Sequence, residues 1–218
     1  MHTSYMQKSH FHTCLRSGVL ALAVLVSTTG AAMAASKTVI KTRGMDASAS
    51  FDTQQVRTCA GGSTAMDSMS VHVDMFESIT TVNGSPQTLL QTSLSVSRFD
   101  GCAFEFSFGS GLFTGVGNLQ MTALETGKIT GTFVLDDGTR LALNITLTGS
   151  DTSTLGTNSR RSILGKTMVL QRSIGLSRTA TISGTATVDG RTYSGAQMLN
   201  AVGELARNVG GEITIIKP

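Results

Sequence analysis

An all-β, antiparallel fold is what this sequence predicts, and three observations predict it. Apolar and polar residues alternate with period 2 along most of the chain after residue 35, the pattern of strands with one buried face. Dipeptides suited to tight turns interrupt the alternation at Asn83-Gly84, Asp100-Gly101, Asp137-Gly138 and Asp189-Gly190, which reads as hairpins. Spacing of three and four residues, which would mark amphipathic helices, is scarce. The non-apolar face of each run carries Ser, Thr and charge, so each strand buries one side only. A β-sandwich or a flattened barrel of about ten strands satisfies that pattern. There is no fixed repeat, which excludes solenoids and propellers.

The first segment is of a different kind. Lys8 and Arg16 precede an unbroken apolar run, Val19 to Val26, and a small-residue stretch ends Ala32-Met33-Ala34. Basic, apolar and A-x-A parts in that order predict a secretory signal peptide over residues 1–34. The run is too short to cross a hydrocarbon core of about 30 Å. Residues 35–218 then form a single antiparallel β domain, expected in the periplasm or outside the cell and not membrane-spanning once the signal is removed. Two of the 17 basic residues and none of the 14 acidic ones lie in the leader. The remainder is close to neutral and has no basic patch, so nucleic acid is not an expected partner. Cys14 leaves with the signal. Cys59 and Cys102 remain and, in an oxidising compartment, are expected to form a disulfide.

Turn lengths follow from requiring apolar residues of paired strands to share a face. An even loop around Asn83–Pro86 sets Val71, Val73, Met75 and Ile79 on the face of Leu90, Leu94 and Val96. A three-residue loop at 99–101 pairs Val96 with Phe104, Leu94 with Phe106 and Arg98 with Cys102, turning the phenyl rings inward. A three-residue loop at 126–128 brings Met121 to Phe133 and Leu119 to Leu135. Another at 136–138 sets Leu135 opposite Thr139 and Phe133 opposite Leu141. An even loop at Asp189-Gly190 puts Tyr193 beside Ala186. Two meanders result, over about 71–110 and 118–148. Residues 149–162 lack periodicity and read as a mobile loop.

Chemistry is sparse. The sequence has no phosphate-binding loop, dinucleotide fingerprint, zinc-protease motif or nucleophile elbow. No metal site is expected, since His72 is the only histidine after the leader, and no cofactor is expected. An outer-membrane barrel would need aromatic girdles, and the chain is only 5% aromatic. One cluster stands out. The registers above place His72, Asp74, Ser95, Ser97 and Glu105 together on one polar sheet face, the residue types of nucleophilic catalysis. A serine in a regular strand, however, lacks oxyanion donors and a water-excluding cleft. The expected function is therefore a non-enzymatic, exported module of the cell envelope, used in adhesion or assembly, with envelope or surface proteins as partners. A barrel-type carrier of a small hydrophobic ligand is one alternative, and a secreted hydrolase using the His72 surface is another.

Overall fold

A computed structural model describes residues 36–217; the segment read as a signal peptide lies outside the described residues. The fold is antiparallel β throughout. Eleven strands form one sheet: β1 (Ser36–Thr58), β2 (Thr64–Val82), β3 (Ser85–Asp100), β4 (Glu105–Thr114), β5 (Asn118–Thr122), β6 (Thr126–Val134), β7 (Arg140–Gly149), β8 (Thr154–Leu164), β9 (Thr167–Val188), β10 (Arg191–Ser194) and β11 (Leu199–Lys217). Their order is β4-β3-β2-β1-β11-β9-β7-β6-β5, with β8 and β10 each added to β9. The two meanders, β2–β3–β4 and β5–β6–β7, are joined through the central pair of β1 and β11.

The sheet curls until β4 meets β6 and the β6–β7 turn. Asp136 N–H donates to the Ser110 carbonyl of β4 at 2.9 Å, and the Phe113 and Phe133 rings lie 5.1 Å apart. Glycines allow this close approach: a Cβ at Gly127 of β6 would lie 2.5 Å from Leu205 of β11, and one at Gly117 would lie 2.8 Å from Met75 of β2. Inside the curl Phe51, Val71, Val73, Met75, Leu94, Ile129, Phe133, Leu141 and Leu205 are fully buried. Beyond it β1, β2, β9 and β11 continue as a wing, in which Gly211 and Thr214 of residues 208–217 are buried and their neighbours are not.

Local turn chemistry sets four registers. Asn83 and Gly84 (φ 48° and 91°) make a two-residue turn, and so do Asp189 and Gly190 (φ 48° and 84°), the geometry that suits twisted hairpins. Val71 thus faces Val96, and Tyr193 pairs with Ala186. Gly138, at φ 86°, closes the three-residue loop 136–138; Leu135 N–H donates to the Thr139 carbonyl at 2.9 Å and Phe133 faces Leu141. At the β5–β6 turn the face is as expected but the partner differs. Leu119 meets Ile129 and Met121 meets Gly127, because the turn is Ala123–Glu125, with Ala123 at φ 50°.

Two further expectations fail. The loop after β3 spans residues 101–104, with Asp100 opposite Glu105 and Val96 opposite Gly109. Arg98 therefore faces Ser107 rather than Cys102, and Gly109 takes the inward position expected of Phe104. Long-range contacts decide this register. Cys102 is bonded to Cys59, with Cα atoms 5.6 Å apart; the Asp100 carboxylate accepts from the Cys102 and Ala103 N–H groups at 2.9 Å; and Gly101 is packed so closely on the Met66 backbone that a Cβ would not fit. The second failure is the stretch 149–162, whose later part belongs to β8, paired along its length with β9. Both faces of β8 are exposed, so backbone bonds alone hold it and no alternation marks it in the sequence.

Candidate functional site

The polar face chosen from sequence does assemble, shifted by two residues. His72 lies opposite Ser95 on β3 and Ser50 on β1; Asp74 lies opposite Ser93 and Ser48. Ser97 faces Ser70 and Phe108. Glu105 is not brought to them: it pairs with Asp100 at the far end of β4, about 16 Å along the strand from Ser95 at 3.3 Å per residue. His72 is exposed, and among the described residues no hydrogen bond joins it to Asp74, Ser95 or Ser97.

A feature absent from the sequence reading lies on the same face. Asp46, opposite Phe76 and two residues diagonal to Asp74, has its carboxyl pushed up to about 8 by burial, then by the charge and hydrogen bond of Asp74, and by Glu204. Asp74 Oδ1 is shut off from solvent and has no hydrogen-bond partner among the described residues.

The more distinctive surface is the free edge of β4. Because Gly109 and Gly111 occupy its inward positions, the alternate residues face water: Phe106 is 82% exposed, Phe108 63% and Leu112 71%, and Phe104, in the loop just before the strand, is 80% exposed. Fully burying one such side chain is worth about 1.5–3 kcal/mol, so the fold forgoes several kcal/mol here. Contiguous exposed apolar surface of this kind marks contact sites. Phe99 braces the row from β3, its ring centroid 4.7 Å from Phe106 and 6.2 Å from Phe104. Beside it a shallow groove of about 250 Å³ runs over a floor of Ser68, Ser70 and Ser97 toward Asp52 and Gln54.

The backbone of this edge is available as well. Ser110 turns both its N–H and its carbonyl toward Asp136, accepting from its N–H at 2.9 Å and donating to its carboxylate at 2.7 Å. Main-chain groups alternate sides along an antiparallel strand, so Phe106 and Phe108 point theirs outward too. Among the described residues these four groups have no partner. Acids bound the open stretch. Glu105 stands at one end; Asp136 and Asp137 stand at the other, packed on Gly109 in the case of Asp137. The Ser110 N–H and hydroxyl hold Asp136 below the usual carboxylate range, and the Thr139 N–H and hydroxyl, with Arg98, do the same for Asp137. Arg98 also bonds Asp189 at 2.7 Å, and Arg57 pairs with Asp67 and Asp100. Glu105 and Asp136 have no such ion pair among the described residues.

The β4 edge was missed because its phenyl groups were assigned to the core. The available signal was Gly109-Ser-Gly111: alternate glycines on one face give that face nothing to bury.

No protein-family model and no curated protein matches this chain. Among solved structures it is similar to the crystal structure of a "putative AttH" from Nitrosomonas europaea, at 11% identity and a TM-score of 0.30, over 79% of this chain and 50% of that one. The chain spans half the length of that protein, and similarity at this level assigns neither fold nor function.

Proposed function

We propose that this protein is an exported, non-enzymatic module of the cell envelope that makes protein contacts for adhesion or assembly, and that β4 is its contact surface. The exposed row of Phe104, Phe106, Phe108 and Leu112 carries this proposal. The composition of residues 1–34 and the Cys59–Cys102 bond favour an oxidising destination. A carrier function is less well supported, because Met75, Phe113, Phe133 and Leu205 occupy the inward positions a cavity would need. The test is retention in the envelope fraction of the producing cell. Phe106→Ser with Phe108→Ser should lower retention by about tenfold while leaving the melting temperature unchanged. Equal retention of variant and parent would remove β4 from the function.

A further inference from the structure

We propose that the β4 edge takes up an extended segment of another protein by strand addition, and that this segment alternates apolar residues and carries a Lys or Arg at each end. The inference rests on β4 being the contact surface and specifies its partner. Phe106 and Phe108 supply both halves of such a site: side chains exposed on the outer face, and two N–H and two carbonyl groups directed off the sheet. An added strand satisfies those four groups and lays its alternate side chains against the phenyl row, the recognition mode in which main-chain bonds give affinity and side-chain pockets give specificity.

Charge selects the occupant. Glu105 and the Asp136–Asp137 pair stand about 16 Å apart along the edge, five residues at 3.3 Å each, and the stretch between them is uncharged. Cations spaced to reach both ends complement that field. A second copy of β4 does not. Antiparallel pairing about a two-fold axis at Ser107 would set Glu105 opposite Gly109, on which Asp137 packs, so carboxylates of the two copies would meet at both ends.

The test uses the full exported chain and a labelled synthetic peptide, Lys-Thr-Val-Thr-Val-Thr-Lys, with binding followed by fluorescence anisotropy. The same peptide with Glu in place of Lys should bind about tenfold more weakly or worse. N-methylating the alternate amides that face β4 should weaken binding about tenfold, while methylating the other set should change it less than about threefold. Phe108→Pro removes an outward N–H without touching the β3 pairing and is tolerated on an edge; it should lower affinity as the facing N-methyl groups do. The methylated peptides give the same information on the unaltered protein if that variant does not fold. Equal effects of the two methylation sets, absence of binding, or preference for the Glu peptide would each overturn the inference. So would self-association of the chain in sedimentation that Phe108→Pro abolishes. Envelope retention lost in Phe106→Ser/Phe108→Ser with no peptide binding would refute strand addition while leaving β4 as the contact surface.

Discussion

Two long strands of this sheet, β4 and β8, each leave one edge free, and they treat that edge in opposite ways. The middle of β8 reads Thr-Asn-Ser-Arg-Arg-Ser, residues 157–162, every one exposed. Paired arginines on an edge oppose pairing with another chain, a common defence against aggregation. Residues 106–109 of β4 read Phe-Ser-Phe-Gly, without Lys, Arg or Pro. One edge is guarded and the other is left bare and aromatic, and on that contrast the proposed contact role of β4 rests.

The comparison can be broken most severely at the core. Phe133→Ala should lose about 3–5 kcal/mol of stability in urea unfolding, whereas Phe108→Ala should stay within about 0.5 kcal/mol. A comparable loss for Phe108 would mean that the phenyl row holds the fold together. Next in size is the disulfide. Cys59→Ser with Cys102→Ser should cost about 2–4 kcal/mol and raise amide exchange in residues 101–109 well before any change in β8. Uniform exchange across both edges would separate the disulfide from the β4 register. A third effect lies in the strands between the edges. The Asp46 carboxyl is raised from 3.8 to about 8, so the native chain keeps a proton that the unfolded chain releases. Stability should fall as pH rises from about 4 to about 8 and level off above. Asp46→Asn should flatten that slope in thermal unfolding, and an unchanged slope would point to another group. Smallest is a loss of charge. Arg160→Thr with Arg161→Thr should promote concentration-dependent association by a few-fold in light scattering. The reverse outcome would remove edge charge as the distinguishing factor.

What the sequence made legible divides along the same lines. Registers fixed by two or three local residues, at 136–138 and Asp189-Gly190, were readable because the left-handed positions are written as Asp or Gly, and at Asn83-Gly84 the face was readable while the partners moved by two. The register of β4 was not, since Asp100-Gly101 looks like the centre of a tight turn. A carboxylate bonded to Arg57, a disulfide to Cys59 and a backbone contact with Met66 make it the start of a longer loop instead. β8 was hidden because a strand exposed on both faces has no period. The polar face of His72, Asp74, Ser95 and Ser97 was recovered to within two residues, since a shift of two preserves the face. Glu105 and the phenyl row went astray because a shift of five does not.

The central pairing of β1 with β11, from Ser36 opposite Lys217 to Asp52 opposite Leu199, also governs the order of events when the chain folds. Each meander can form by local contacts, but the two halves stay unjoined until β11, which follows every other strand in sequence, slots between β1 and β9. Such distant pairings carry a high contact order and folding times of milliseconds to seconds. For that interval the edges of β1 and β9 are bare as well as those of β4 and β8, and assembly covers the first two. A chain of this topology is slow to become compact, which places the greatest aggregation hazard before the sheet is complete.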